Sequence, residues 1–258
     1  MDEPHADRFI DFQGRLVVVT GASSGIGQAI ALELNRRGAK VVLVGRDQGR
    51  LAQAAARLEA ASSWVLPMDL QETKLVHDRL KEFAGSHGRI YGLCHAAGIV
   101  ETRPLSAVRL EGLQAMLNVH LTAGLELCRA ICRRDVLTEE GGSLLFISSI
   151  YAHVGMAGQI GYSASKGAII AAARAMAVEL ARRKIRVNTL SPGLVRTPMT
   201  DTALSLLTES QIHELEASHP LGTGKPEDVA RAAAFLLAPQ SGWITGTDLV
   251  IDGGYTAR

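Results

Sequence analysis

Short apolar segments alternate with longer amphipathic segments along nearly the whole chain. The short segments are rich in Val, Ile and Leu, which is typical of strands buried on both faces of a parallel sheet. The longer segments carry apolar residues at helical spacing, as at Ile26, Ile30 and Leu34, and predict helices that pack one face on a sheet. The predicted strands are 15–20, 40–44, 64–68, 90–94, 143–147, 186–190 and 249–251, the last followed by a turn that ends at Gly254. The predicted helices are the segment that ends at Gly38, then 48–60, most of 105–134, 162–182 and 226–237.

This alternation continues without a compositional break, an internal repeat or a linker. It predicts an α/β protein with a single-domain Rossmann fold, in which a doubly wound parallel sheet of about seven strands carries helices on both faces. Residues 1–13 are predicted to be an N-terminal tail, and residues 14–258 the domain. Within the domain, residues 199–218 have weak periodicity and are predicted to form a mobile lid over a site.

Composition narrows the classes of function. The 258 residues are 47% hydrophobic and 21% charged, as in ordinary globular proteins, and the net charge of +1 gives no reason to expect nucleic acid or a membrane surface as a partner. No apolar run approaches about 18 residues, so neither a signal peptide nor a membrane anchor is predicted. Cys128 and Cys132 are four apart, as on one helix face, and with Cys94 they indicate reduced thiols rather than a disulfide or a metal site. A cytoplasmic location is therefore expected.

The clearest binding motif is a glycine-rich turn, Gly21-Ala22-Ser23-Ser24-Gly25-Ile26-Gly27, between the first predicted strand and helix. A helix that begins directly after such a turn presents main-chain N–H groups and the positive end of its dipole to a phosphate. The spacing is G-x-x-x-G-x-G rather than G-x-G-x-x-G. A tight strand–helix turn without a ligand is the alternative, and the three glycines favour nucleotide binding.

The end of the second strand predicts which nucleotide. Dinucleotide folds place an acidic residue there to bind a ribose 2′-hydroxyl, or an arginine to bind a 2′-phosphate. Gly45 stands where the acid is expected and Arg46 follows, which predicts NADP(H) in preference to NAD(H). Asp47 argues the other way, although it also suits the N-cap of helix 48–60. Asp69, after the third strand, is placed to meet an adenine edge.

The fourth strand leads into His95-Ala96-Ala97-Gly98, whose small residues permit a close approach of the main chain to a cofactor. His95 has two interpretations, a catalytic base or a packed, hydrogen-bonded residue, and the second is favoured. Asn118 lies in the middle of a predicted helix, where asparagine is neutral to unfavourable. It therefore either faces solvent or has a functional role.

Candidate chemistry is concentrated between Ser149 and Lys166. Tyr162 and Lys166 are four apart at the start of a long helix, so their side chains share one face. A phenol titrates near ~10 and is a poor acid or base at neutral pH unless a nearby ammonium favours its ionised form. Ser149, from the end of the preceding strand, can meet the same substrate oxygen. The alternative is a helix with a surface tyrosine and a surface lysine.

Taken together, these motifs resemble the short-chain dehydrogenase/reductase family in its single-domain branch, over about residues 14 to 256. The resemblance implies a catalytic tetrad of Asn118, Ser149, Tyr162 and Lys166, and a homotetramer (or homodimer) built on the helices around Asn118 and Tyr162 and on the C-terminal strand. It further implies nicotinamide cofactor contacts, two of them (Val195 and Thr197) with the carboxamide. The implied cofactor-binding residues are Gly21, Ser23, Ser24, Gly25, Ile26, Gly27, Arg46, Asp47, Asp69, Leu70, Ala96, Ala97, Gly98, Tyr162, Lys166, Pro192, Gly193, Val195 and Thr197.

The resemblance also implies a mechanism. NADPH would deliver hydride to a carbonyl carbon while Tyr162 gives a proton to the oxygen that Ser149 polarises. Lys166 would lower the Tyr162 pKa and bind the nicotinamide ribose, and Asn118 would hold a water that restores the proton.

Two departures from the family pattern affect these expectations. His95-Ala96-Ala97-Gly98 replaces Asn-Asn-Ala-Gly, which removes hydrogen bonds expected to link strands, and Val178 stands where acyl-carrier-protein reductases often carry arginine. A 3-oxoacyl thioester remains the first expected substrate, and a sugar, polyol or other secondary alcohol is the second. A catalytically idle NADP-binding sensor or scaffold is the third reading. Seven residues flank the site by position and select no substrate: Ile150, Tyr151, His153, Met156, Gln159, Leu194 and Met199.

Overall fold

A single parallel sheet organises the computed structural model, which describes residues 10–59, 62–205 and 207–257. Its strand order is β3-β2-β1-β4-β5-β6-β7, and each neighbouring pair is parallel. The strands are β1 Leu16–Thr20, β2 Lys40–Gly45, β3 Ser63–Pro67, β4 Ile90–His95, β5 Gly142–Ile147, β6 Ile185–Pro192 and β7 Asp248–Ile251. The predicted fold class and all seven predicted strands are confirmed.

Helices connect the strands and cover both faces of the sheet. They are α1 Gly25–Arg36, α2 Gln48–Ala55, α3 Val76–His87, α4 Leu110–Leu117, α5 Ala123–Ile131, α6 Ile160–Leu180, α7 Pro198–Leu204, α8 Glu209–Ala217 and α9 Pro226–Leu237. A π-helical turn, Asn118–Thr122, joins α4 to α5.

The core consists of two apolar layers, one on each face of the sheet. Successive side chains of a strand point to opposite faces, so Val17 and Val19 pack in the layer that α1 and α9 cover. Leu16 and Val18 pack in the layer covered by α3, α5 and α6. Burial on both faces explains why the strands are continuous apolar runs rather than alternating ones.

The helices differ from prediction in three places. Helix α3 was not predicted, although Val76, Leu80, Phe83 and Ala84 are buried along one of its faces. Helix α2 ends at Ala55 instead of residue 60. The segment predicted as mostly helical over 105–134 contains a short 3-10 helix, then α4, the π-turn and α5.

The predicted tail falls largely outside the described residues, which begin at Ile10. Phe12 is fully buried in the α1 and α9 layer, with Ile10 packed against it. The packed part of the chain therefore begins before the predicted boundary at residue 14.

The segment predicted as a lid contains α7 and α8. Each helix begins with a capping box, formed by Thr197 with Thr200 and by Thr208 with Gln211. The weak periodicity of the segment reflects helices too short to show a clear apolar face. Its movement over a site stays a prediction.

The helices of residues 10–59, 62–205 and 207–257 include none with both the length and the apolar character that crossing a bilayer requires.

Candidate active site

A groove runs along the carboxyl ends of the strands, across the point between β1 and β4 where the strand order reverses. Open α/β sheets bind ligands at such a switch point, because the loops on either side diverge. The groove is lined by Ser149, Tyr162 and Lys166 and by nearly all of the predicted cofactor residues. The latter are Gly21, Ser23, Ser24, Gly25, Ile26, Gly27, Arg46, Asp69, Leu70, Ala96, Ala97, Gly98, Pro192, Gly193, Val195 and Thr197.

The glycine-rich turn brings main chain to the floor of this groove. Gly21 has a φ of +64°, in the left-handed region that favours glycine. A Cβ at Gly27 would lie 2.3 Å from the carbonyl oxygen of Gly21, so no larger residue fits this approach of helix to strand. The side chain of Ser24, the N-cap of α1, makes no capping bond. The first N–H groups of α1 are therefore available to an anion.

Two arginines lie at the end of β2. Arg46 and Arg50 are both exposed and both line the groove. Asp47, predicted among the cofactor contacts, does not line the groove; its Oδ1 accepts a 3.0 Å hydrogen bond from the N–H of Arg50 and caps α2. The structure therefore gives Asp47 the helix-capping role that was its alternative, and adds Arg50, one helical turn from Arg46, as a residue the sequence reading missed.

The other lining residues that were not predicted belong to the same loops and add apolar or main-chain surface. A turn residue next to a predicted contact is the signal that could have found most of them. They are Gly45, Met68, Gln71, Ile99, Val119, Ile147, Ser148, Pro198 and Thr200.

Ser149, Tyr162 and Lys166 converge as predicted. Tyr162 and Lys166 are one turn apart on α6, and Ser149 follows the end of β5. The Ser149 hydroxyl is hydrogen-bonded to Tyr162, and its Oγ accepts a 3.2 Å bond from the N–H of Tyr151. The Lys166 ammonium donates a 2.8 Å bond to the carbonyl oxygen of Ile147 and lies 5.5 Å from the centre of the Tyr162 ring.

The electrostatics of this cluster correct one expectation. Burial raises the pKa of Tyr162 to about 12, although the Ser149 hydrogen bond acts in the opposite direction. Burial also lowers the pKa of Lys166 to about 7, because the ammonium loses its water on burial. The predicted lowering of the Tyr162 pKa by Lys166 is therefore not present in this structure. Tyr162 is a protonated phenol at neutral pH.

Asn118 lies outside the cluster, which differs from its predicted place in the tetrad. Its Oδ1 accepts a 2.8 Å hydrogen bond from Nε2 of Gln114 on the exposed side of α4, and it does not line the groove. The π-turn that begins at Asn118 carries the chain inward, and the residue that reaches the cluster is His120. Its ring is fully buried, 5.7 Å from the Tyr162 ring and at 86° to it. Sequence spacing shows no sign of a π-turn.

His95 is packed and hydrogen-bonded, as favoured. Its Nε2 donates to the carbonyl oxygen of Val119 at 2.9 Å, so its Nδ1 accepts from Oγ1 of Thr20, also at 2.9 Å. Burial lowers the pKa of His95 to about 4, which keeps the ring neutral. The departure from Asn-Asn-Ala-Gly was expected to remove linking hydrogen bonds, and that expectation is wrong: His95 ties the end of β1 to the π-turn.

Of the seven residues predicted to flank the site, Met199 is the one that lines the groove. Tyr151 meets the Tyr162 ring edge-on at 6.5 Å. Nε2 of His153 is 2.7 Å from Oδ2 of Asp248. Gln159 donates to Oγ1 of Thr102 at 2.8 Å, while its own Oε1 is buried without a partner. The remaining flanking residues, Ile150, Met156 and Leu194, do not line the groove. No group of three metal-binding side chains occurs among the described residues.

Comparisons with known proteins agree with this geometry. A family model described as Enoyl-(Acyl carrier protein) reductase matches residues 21–256. The chain is 35% identical to the 3-oxoacyl-[acyl-carrier-protein] reductase FabG of Chlamydia pneumoniae over 96% of this chain and 99% of that one. It is 33% identical to the glucose 1-dehydrogenase of Gluconobacter oxydans over 99% and 96%.

Two solved structures have the same fold. A short-chain type dehydrogenase/reductase from Mycobacterium marinum is 32% identical, with a TM-score of 0.88 over 98% of this chain and 100% of that one. A gluconate 5-dehydrogenase from Burkholderia cenocepacia, in complex with NADP and tartrate, is 28% identical, with a TM-score of 0.90 over 98% of each chain.

Proposed function

The chain belongs to the short-chain dehydrogenase/reductase family of oxidoreductases acting on CH–OH groups, and we propose that it uses NADP(H) to interconvert a ketone and a secondary alcohol. The observation that carries the proposal is the convergence of Ser149, Tyr162 and Lys166 on the groove at the switch point of the sheet.

The groove fits a nicotinamide dinucleotide. At Gly21 and Gly27 a Cβ would clash with neighbouring main-chain atoms, so the floor of the groove is main chain. The start of α1 offers uncapped N–H groups for a pyrophosphate. Arg46 and Arg50 stand at the end that would receive the adenosine. Their two positive charges suit a ribose 2′-phosphate, and Asp47 is engaged in capping α2.

The residues of the chain then divide the work. When bound, the cofactor supplies the hydride to the carbonyl carbon or accepts it from the alcohol. Tyr162 gives its phenolic proton to the carbonyl oxygen, since its raised pKa keeps that proton in place at neutral pH. The Ser149 hydroxyl orients the same oxygen and stabilises the charge that develops on it. Lys166 holds a positive charge beside Tyr162 whenever its lowered pKa permits.

Two substrate classes remain, each supported by relatives. A 3-oxoacyl thioester is our first choice, following the FabG relative. A sugar or polyol is the second, following the two sugar-type dehydrogenases. Val178 stands where acyl-carrier-protein reductases often carry an arginine, although Arg174 is exposed one turn away on α6.

NADPH oxidation measured with a panel of ketones tests the function. The panel contains a 3-oxoacyl thioester, a keto sugar and a simple aliphatic ketone. We expect turnover with at least one of them. Tight NADPH binding without turnover of any, and without NADP⁺ reduction by the matching alcohols, would establish the idle sensor or scaffold instead.

Arg46→Ala is expected to weaken NADPH binding by about 10- to 100-fold, the scale of a lost charge-assisted hydrogen bond. NADH binding should hardly change, because NADH has no 2′-phosphate. Cofactor fluorescence titration measures both. Arg57→Ala is the control, because Arg57 is exposed on the same side of the sheet but bonds to Gln28 outside the groove. Equal affinity of the unmutated protein for NADPH and NADH would rule out the proposed preference.

We further propose that the chain forms a homotetramer (or homodimer). Exposed apolar side chains lie on or near two of the elements implied as interfaces: Val178 on α6 is 81% exposed, and Trp243, five residues before β7, is fully exposed. Side chains of this size are normally covered, and a second copy of the chain would cover them. Sedimentation analysis of Trp243→Arg should show a smaller assembly than the parent. Leu75→Arg is the control and should leave the assembly unchanged, because Leu75 lies outside α6 and the segment before β7. If Trp243→Arg also leaves the assembly unchanged, Trp243 is not in the interface.

We also propose a cytoplasmic location. All three cysteines lie in the described part of the chain and are buried thiols, as expected where the surroundings are reducing. A fluorescent fusion found in an oxidising compartment would contradict this.

A further inference from the structure

We propose that His120 is a positioning residue of the active site, a neutral ring that fixes the Tyr162 and Lys166 face of α6 against the loop after β4. The inference rests on the proposed oxidoreductase function and concerns the residue that replaces Asn118 in the cluster.

His120 joins two separate parts of the chain. Its Nε2 is 3.0 Å from the main-chain nitrogen of Ile99, in the loop after β4. Its Nδ1 is 2.8 Å from Oγ of Ser165 on α6. Ser165 directly precedes Lys166 and follows Tyr162 by three residues, and its Oγ also donates a 2.8 Å bond to the carbonyl oxygen of Tyr162. The imidazole is thus the link between the groove wall and the catalytic turn of α6.

The directions of these bonds determine the tautomer. A main-chain N–H can only donate, so Nε2 of His120 accepts from Ile99 and carries no proton. The ring proton is on Nδ1 and is donated to Ser165, whose own proton goes to the carbonyl oxygen of Tyr162. Every polar atom of the ring has a partner in this one arrangement. Burial lowers the pKa of His120 to about 2, in agreement with a ring that stays neutral.

The packing around His120 leaves little freedom. A Cβ placed on Gly98 would lie 3.1 Å from Nε2 of His120 and 3.7 Å from the Lys166 ammonium, so loop, ring and ammonium meet at that glycine. The imidazole also packs against the Tyr162 ring, with the two ring centres 5.7 Å apart and the ring planes at 86°. Without the imidazole ring, the part of α6 that carries Tyr162 and Lys166 would no longer be held against the loop after β4. A displacement of about 1 Å is enough to cost roughly 10²-fold in rate.

A proton relay through His120 is the competing role, and the geometry opposes it. A relay would need Nε2 to take a proton from the Lys166 side, but that lone pair already accepts from Ile99. Two titratable neighbours, Lys166 and His95, also disfavour a second proton on the His120 ring, because their positive charge would repel it.

Three substitutions separate the two roles. In His120→Gln the amide reaches the Nε2 position and can still accept from Ile99, and in His120→Asn it reaches the Nδ1 position and can still donate to Ser165. His120→Ala keeps neither bond. We expect kcat for ketone reduction to fall about 10- to 100-fold in His120→Ala and less in the other two, with KM for the ketone within threefold of the parent. His77→Ala is the control, because His77 lies on α3 and outside the groove.

The pH profile adds a readout that packing alone would not move. Positioning predicts that the pH dependence of kcat keeps the parent shape in His120→Gln. A lost or shifted limb, or equal losses in all three variants, would indicate a relay and overturn the proposal. So would kcat in His120→Ala within threefold of the parent.

Nuclear magnetic resonance on the unmutated protein tests the proposal without cofactor or substrate. The ¹⁵N shifts of His120 should report the Nδ1–H tautomer throughout the pH range in which the protein is folded. Ser165→Ala removes the partner of the Nδ1 proton and should change these shifts and lower kcat. This variant tests the proposal even if the His120 variants do not fold. An Nε2–H tautomer or a titrating ring would overturn the proposal. A parent that reduces no ketone would instead defeat the proposed function and leave this tautomer test standing.

Discussion

Tyr162→Phe is expected to lower kcat for ketone reduction by roughly 10²-fold or more, the usual contribution of a positioned general acid. The substitution removes one oxygen from a half-buried ring and leaves the packing of α6 and the edge-to-face contact with His120 in place. NADPH affinity and thermal stability should therefore stay close to those of the parent. What is lost is the phenolic hydroxyl, with its proton and its hydrogen bond to Ser149.

Single-turnover reduction with saturating NADPH measures this step. Tyr151→Phe is a matched control, because it removes a phenolic oxygen from the neighbouring ring, 6.5 Å from that of Tyr162. It should retain turnover within a few fold. If Tyr162→Phe stays within threefold of the parent, the proton comes from elsewhere. His153, already paired with Asp248, and a water on Ser149 would then be the candidates.

The strands and the glycine-rich turn could be predicted from the sequence because their causes are local. A strand buried on both faces must be apolar throughout, as Leu16–Thr20 is. The close approach at Gly27 excludes any side chain. Helix α3 has the same kind of signal in Val76, Leu80 and Phe83, and was missed although the spacing was there to be read.

The position of Asn118 outside the cluster has a different cause. A π-turn changes which residues of a helix face inward, and the hydrogen bonds of His95 and His120 join segments far apart along the chain. No spacing rule shows that His95 makes linking hydrogen bonds in place of those expected from the asparagines of the Asn-Asn-Ala-Gly motif. Both histidines are polar residues whose partners become visible only when the strands, the π-turn and α6 are assembled.

The pKa values of the cluster also depend on assembly. A lysine four residues from a tyrosine suggests that the ammonium lowers the phenol's pKa. In the folded chain, burial outweighs that attraction for both groups, raising the pKa of Tyr162 to about 12 and lowering that of Lys166 to about 7. The burial of the Lys166 ammonium therefore lowers the stability of the folded chain.

This loss of stability leads to a second large effect. Lys166→Met is expected to abolish measurable ketone reduction and at the same time to stabilise the protein at neutral and lower pH. The drop in the Lys166 pKa from 10.5 to about 7 corresponds to about 5 kcal/mol of unfavourable burial of the charge. Loss of the bond to the Ile147 carbonyl, about 1 kcal/mol, and local relaxation reduce the expected net gain at pH 6 to about 2–4 kcal/mol.

The sign of the pH dependence follows from proton binding. The pKa of Lys166 is lower in the folded chain than in the unfolded one, so the unfolded chain binds more protons between about pH 7 and 10.5. Lys166 therefore makes the parent gain stability as pH rises through that window, and its penalty is full below it. Urea unfolding from pH 6 to 9.5 should show the advantage of Lys166→Met shrinking steadily, while Lys81→Met, an exposed lysine of α3, shows no such trend. An advantage that is absent at pH 6, or that grows with pH, would mean that the ammonium is well solvated or paired in the folded protein, and the account of how Lys166 is held would have to be abandoned.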